Sequence, residues 1–168
     1  QSRKEPIPVY AEMSSINPVF LLPSVFDNPT SIVDGFVGSL TMGAGQFCTN
    51  PGLLVFIDNK NSKKLIDLLT NAIKTANTQT MLTKNIYESY CTGVGRLEKN
   101  KNVILLAKSN TSSDPNQCEA SLFETTAKNF LSDPTLSEEI FGASSLIIKC
   151  KTEDEMEEIA KSIEGQLT

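Results

Sequence analysis

Leu53-Leu54-Val55-Phe56-Ile57 is an unbroken apolar run, and it restricts the folds open to this chain more than any other feature. Successive side chains on a strand point to opposite faces, so a strand that is apolar throughout must be covered on both sides. Helical patterns stand on either side of it. Upstream, Ile32, Val33, Phe36, Val37 and Leu40 recur at helical spacing behind Thr30 or Ser31, either of which can cap. Downstream, Ser62 is placed to cap a helix carrying Leu65, Ile66, Leu69, Ala72, Ile73 and Ala76. A third helix is expected over 81–90, stopped by Gly93 and Gly95. Prolines punctuate two short extended runs over 6–13 and 18–22. Further strands are expected over 103–107, 122–130 and 146–148, with a polar surface loop over 109–117. Thr152 and Glu155 make a capping box for a last helix that runs to Gly165. Strands alternating with helices predict an α/β fold, a mostly parallel sheet with helices on both faces.

The 168 residues suffice for one domain with its own core. A net charge of −5 argues against a nucleic-acid partner, and no stretch reaches membrane-span length. Together with the absence of a signal-peptide pattern, this makes a cytoplasmic setting the expectation. The cysteines at 48, 91, 118 and 150 form no CxxC pair, so zinc and iron–sulfur ligation are not expected, and the thiols are expected to be reduced. The chain has no histidine. A Ser-His-Asp triad, a Cys-His pair and a histidine metal site are therefore all excluded within it. A general base here is expected to be a carboxylate, lysine or tyrosine. No GxGxxG or GxxxxGK[ST] phosphate cradle is present.

Cys48 stands in Gly43-Ala44-Gly45-Gln46-Phe47-Cys48-Thr49-Asn50-Pro51-Gly52, a small-residue segment between a helix pattern and the apolar strand. Glycines free the backbone for a sharp turn and allow close approach of another group. Chemistry in α/β proteins concentrates at strand–turn–helix junctions, which makes Cys48 a candidate nucleophile. A structural core cysteine is the other reading of the same residue.

Three ordered segments resemble the aldehyde dehydrogenase family. Pro8-Val9-Tyr10-Ala11-Glu12-Met13-Ser14-Ser15-Ile16-Asn17-Pro18 resembles its acidic-residue segment, Gly45-Gln46-Phe47-Cys48-Thr49 its nucleophile segment, and Glu138-Glu139-Ile140-Phe141-Gly142 its cofactor-contacting motif. The variants Glu-Met-x-Ser-Ile-Asn-Pro and Phe-Cys-Thr-Asn-Pro-Gly look most like the branch containing 2-oxoglutarate semialdehyde dehydrogenases, which often uses NADP. The resemblance implies an enzyme dependent on NAD or NADP, with NADP slightly favoured, acting on a small aldehyde. Cys48 would be the nucleophile, Glu12 the base that activates water, Glu139 the contact to the nicotinamide ribose and Phe141 the residue packing near the nicotinamide. Phe47 and Thr49 would line the aldehyde pocket, and the Cys48 N–H would supply half of an oxyanion hole.

Two departures stand out. Ala143 replaces the family's proline after Phe-Gly, and Leu53 stands near a position where arginine is frequent. The resemblance further implies that the chain is a catalytic domain without its dinucleotide-binding domain and C-terminal oligomerisation segment. The full-length protein is then expected to be a homo-oligomer, and the isolated chain to be inactive. The alternative is a non-enzymatic α/β module or degenerate homologue in which packing retains Cys48.

Overall fold

The computed structural model describes residue 5, residues 7–8, residues 14–111 and residues 114–168. The strands are β1 (Pro18–Leu21), β2 (Leu53–Ile57), β3 (Gln79–Thr80), β4 (Ile104–Lys108), β5 (Gln117–Cys118), β6 (Ser121–Thr126) and β7 (Ser144–Cys150). The helices are α1 (Thr30–Thr41), α2 (Ser62–Thr75), α3 (Lys84–Lys99), α4 (Ala127–Ser132) and α5 (Glu153–Ser162). One sheet has the order β1-β2-β7-β6-β4. Its first four strands are mutually parallel, and β4 closes one edge antiparallel to β6. A small antiparallel pair, β3 with β5, lies apart from it.

The expectation of a mostly parallel sheet covered on both faces is met. Leu53 and Val55 of β2, Phe123 of β6, and Leu146 and Ile148 of β7 face one core with Tyr90, Val94 and Leu97 of α3, Phe130 of α4 and Ile159 of α5. Leu54, Phe56, Leu122 and Ile147 face the other, with α1 and α2 supplying Val33, Phe36, Leu40, Leu65, Leu69 and Ile73. Phe26 and Phe56 meet edge to face, with centroids 5.6 Å apart and planes at 75°. No helix among the described residues is long and apolar enough to cross a membrane.

Several local expectations are corrected. Helix α3 begins only at Lys84, capped by Thr83, whose hydroxyl accepts from the Ile86 N–H at 3.3 Å. It then runs through Gly93 and Gly95 to Lys99. Gly93 serves packing rather than termination, since a Cβ there would lie 3.0 Å from two carbons of Ile140. Gly95 has open space around its missing side chain. Gly95→Ala should therefore stabilise the fold by about 0.5–1 kcal/mol, through helix propensity and a less free unfolded chain. A thermal melt should show a midpoint about 1–4 °C higher, and an unchanged or lower midpoint would contradict the open geometry.

The strand expected over 122–130 ends at Thr126, where the chain turns into α4. The Thr126 hydroxyl accepts from the Asn129 N–H at 3.3 Å, and Ala127 and Phe130 bury one helical face. Neither Thr30 nor Ser31 caps α1, whose N-cap is Pro29. Ser62 lies inside the first turn of α2, with its hydroxyl accepting from the Asn59 N–H at 2.8 Å. Thr152 does cap α5, but Glu155 reaches one residue further back than a capping box requires, to the Lys151 N–H at 2.7 Å. That helix ends at Ser162, before Gly165.

Candidate active site

Parallel strands bring their amino ends together, and the three segments that enter β1, β2 and β7 meet there. Cys48 lies in the segment entering β2, Glu139 and Phe141 in the one entering β7. The junction at Cys48 is thus helix to strand, at the amino ends of the strands. This reverses the strand–turn–helix expectation and departs from the usual placement at carboxyl ends. Glu12 lies outside the described residues.

After α1, Gly43, Ala44 and Gly45 take φ values of 56°, 60° and 70°, three left-handed residues in succession. Ala44 is buried, and its N–H donates to Gln79 Oε1 at 2.8 Å. Gln46 spans the same gap from the other side, with its Oε1 accepting from the Leu82 N–H at 3.0 Å. Gln79 is itself placed by pairing of β3 with β5. A Cβ on Gly45 would lie 2.3 Å from both Ala143 N and the Gly142 carbonyl carbon. The Cys48-containing segment and the Glu139-containing segment therefore touch backbone to backbone, a contact only glycine permits.

Tyr90 supports the other side of this contact. Its hydroxyl oxygen lies 2.6 Å from the Glu119 carbonyl and 3.1 Å from that of Ala143, and its one proton can serve either. Burial pushes the Tyr90 hydroxyl far above the usual tyrosine range, so it stays a donor. A Cβ on Gly142 would fall 2.3 Å from the Tyr90 ring.

A narrow cleft lies between the segments, with Gly45, Asn50, Glu139, Phe141 and Ser145 among its lining residues. Phe47, Cys48 and Thr49 are exposed neighbours of this lining rather than members of it. The Phe47 ring folds back over Gly43, where a Cβ would meet it at 2.6 Å. Of the two adjacent glutamates, Glu138 is committed to Arg96. Glu139 is half-buried and makes no hydrogen bond or ion pair among the described residues. Of the two carboxylates, only that of Glu139 lacks a partner among the described residues. Ser145 Oγ is buried and has no hydrogen-bond partner among the described residues. No group of three metal-ligating side chains occurs among them.

The thiols divide into two classes. Cys48 and Cys91 are exposed, whereas Cys118 and Cys150 are buried. Burial pushes both buried thiols up to about 11. Sequence reasoning missed Asn17, Gln79, Tyr90 and Ser145. Asn17 and Ser145 leave a trace there, a polar residue opening an apolar strand (Asn17-Pro18-Val19-Phe20 and Ser144-Ser145-Leu146). Gln79 and Tyr90 leave none.

The family model described as "Aldehyde dehydrogenase family" matches residues 1–168. The chain is 40% identical over 168 residues to alpha-ketoglutaric semialdehyde dehydrogenase 2 of Azospirillum brasilense, covering 99% of this chain and 32% of that protein. It is 32% identical over 170 residues to alpha-ketoglutaric semialdehyde dehydrogenase of Acinetobacter baylyi, covering 100% of this chain and again 32% of the relative. The chain thus spans about a third of the length of the curated relatives it matches. Its fold is similar to part of proline utilization A from Bradyrhizobium japonicum. There the TM-score is 0.77 and the identity 17%, covering 96% of this chain and 17% of that one.

Proposed function

Because this chain belongs to the aldehyde dehydrogenase family, we propose that it is the nucleophile-bearing domain of an NAD(P)-dependent aldehyde dehydrogenase. The substrate is an aldehyde that also carries a carboxylate, with 2-oxoglutarate semialdehyde the favoured case on the identity to the Azospirillum brasilense protein. The observation that carries the reading is the contact of Gly45 with Gly142 and Ala143, which joins the segments of Cys48 and Glu139 at one cleft.

In this reading the Cys48 sulfur attacks the aldehyde carbon. A C–S bond forms, and the carbonyl oxygen takes up the electron pair as an oxyanion that the Cys48 N–H can bind. The uncommitted Glu139 carboxylate suits ribose hydroxyls, and the 39% exposed Phe141 ring offers an apolar surface for a nicotinamide. A nicotinamide held by Glu139 and Phe141 would supply the acceptor for the hydride that oxidation to the thioester level requires. Cys48 is then acylated as a thioester. Glu12 takes a proton from water, the water oxygen attacks the thioester carbon, and the carboxylate product leaves as Cys48 is restored. Phosphates find no glycine-rich cradle in this sequence, so the remainder of the dinucleotide has to be bound outside it.

Thiol reactivity tests the assignment of Cys48. Limiting iodoacetamide at pH 7, read by peptide mass spectrometry, should label Cys48 at least about tenfold faster than Cys91, which is also exposed. Cys118 and Cys150 should be slower than either by a hundredfold or more, since a thiol at about 11 is only about one part in ten thousand thiolate at pH 7. Equal labelling of Cys48 and Cys91 would remove the nucleophile and favour a non-enzymatic module.

A further inference from the structure

Asn17 is 2% exposed and holds a left-handed φ of 40°, a conformation that asparagine tolerates better than most residues. Its Nδ2 donates to the Cys48 carbonyl at 2.7 Å and to the Asn50 carbonyl at 3.0 Å. Both carbonyls of the nucleophile turn are therefore drawn inward by one buried amide. The opposite side of Asn17 is braced as well. Its Oδ1 accepts from the Ser15 hydroxyl and, at 3.3 Å, from the Thr168 N–H. The Ser15 hydroxyl accepts from the Leu167 N–H at 3.1 Å, and Gln166 Oε1 accepts from the Ile16 N–H at 2.6 Å. The segment after α5 thus holds the segment before β1, which in turn holds the Cys48 turn.

A trans peptide is planar, with its N–H directed opposite to its carbonyl. Fixing the Cys48 carbonyl on the buried Asn17 amide therefore turns the Thr49 N–H to the side of that peptide opposite Asn17. The preceding peptide is fixed similarly, because the Phe47 carbonyl accepts from the Asn50 N–H at 3.0 Å and turns the Cys48 N–H away from Asn50. Neither the Cys48 nor the Thr49 N–H has a hydrogen-bond partner among the described residues. Two consecutive donors without a partner among the described residues, beside an exposed thiol, are suited to negative charge that develops on a carbonyl oxygen during attack.

We propose that Asn17 is a positioning residue for Cys48, and that by orienting the Cys48–Thr49 peptide it adds the Thr49 N–H to the Cys48 N–H as an oxyanion donor within this chain. The inference rests on Cys48 being the nucleophile. The step concerned is addition of the thiol to an aldehyde: the S–C bond forms, the C=O π bond breaks, the proton passes from sulfur to oxygen, and nothing is oxidised or reduced.

The experiment compares two reactions of Cys48 in the 168-residue chain. Addition of carbonyl-labelled carbon-13 succinic semialdehyde, read by NMR as the tetrahedral carbon signal that Cys48→Ser abolishes, places charge on oxygen. Alkylation by iodoacetamide does not. Asn17→Asp keeps the size and backbone tolerance but removes the amide donor, and Asn17→Gly keeps the backbone and removes the side chain. Both should weaken aldehyde addition about tenfold, the cost of one misplaced hydrogen bond, while changing the iodoacetamide rate at Cys48 less than threefold. Continued protection of Cys118 and Cys150 shows that the variants are folded. If they are not protected, Gln166→Leu, which removes only the outer brace, decides by the same ratio. An unchanged ratio of the two reactions in a folded variant overturns the proposal, as does an equal fall in both. Wild-type Cys48 adding aldehyde no better than Cys91 would instead overturn the nucleophile reading itself, so the two failures are told apart.

Discussion

Gly45→Ala should be the most damaging single-methyl addition in this chain. At φ 70° an L-side chain costs about 1–2 kcal/mol. The new Cβ would also sit 2.3 Å from backbone atoms of Gly142 and Ala143, which cannot swing aside as a flexible side chain would. Overpacking of this kind costs roughly 1–3 kcal/mol, so the total is about 2–5 kcal/mol. In a domain of this size that lowers the melting midpoint by about 5–15 °C. Gly35→Ala is the matched control, since Gly35 lies in α1 with nothing within 4 Å of a new Cβ, and it should melt no lower than wild type. The effect should also reach the site, because separating the two segments widens the cleft that Gly45, Asn50 and Glu139 line beside Cys48. Iodoacetamide labelling should then lose its preference for Cys48 over Cys91. A Gly45→Ala variant within about 0.5 kcal/mol of wild type would show that the two segments do not touch.

Alkaline pH should destabilise the fold through the two buried thiols. Cys118 and Cys150 have folded values of about 11, above the usual thiol value of about 8.5 in an unfolded chain. Between those values the unfolded chain has released protons that the folded chain retains. Stability from this source is complete below about pH 8.5 and is lost as pH rises through about 11. Each unit corresponds to about 1.4 kcal/mol, and discounting for solvent that reaches these sites leaves a combined loss of a few kcal/mol. Tyr90, raised by burial, adds a loss of the same sign at still higher pH. Urea midpoints measured from pH 8 to 11 should fall steadily. In the Cys118→Ala, Cys150→Ala double variant the midpoint starts lower, from lost packing, and falls less. If the double variant falls as steeply as wild type, the buried thiols are not the cause.

The architecture was largely legible because its signals are local. An apolar run with no polar face has to be a strand covered on both sides, and Leu53–Ile57 became the strand between β1 and β7. The periodicity of α2 and the Thr152 cap of α5 act over a few residues, and the folded chain uses them where the sequence places them. Local signals failed where two of them competed. Gly93 is both a helix breaker and a place for close approach, and only the position of Ile140, 47 residues away, decides between them. Thr126 suits a strand interior and a helix cap equally well, and burial of Phe130 against the sheet selected the cap.

For the site, the sequence alone determined which residue types were available: a thiol in a small-residue turn, carboxylates instead of histidine, and three segments in the order shared with aldehyde dehydrogenases. The tertiary structure decided how they are used. It placed the Cys48 and Glu139 segments at the amino ends of parallel strands, committed Glu138 to Arg96 while giving Glu139 no partner among the described residues, and bonded Asn17 to the Cys48 carbonyl. The physical reason is separation along the chain. Propensity, periodicity and capping act over a few residues, whereas Asn17 bonds a carbonyl 31 residues away and Gly45 meets Gly142 nearly a hundred residues on. Such contacts exist only once the sheet has closed and brought the strand ends together.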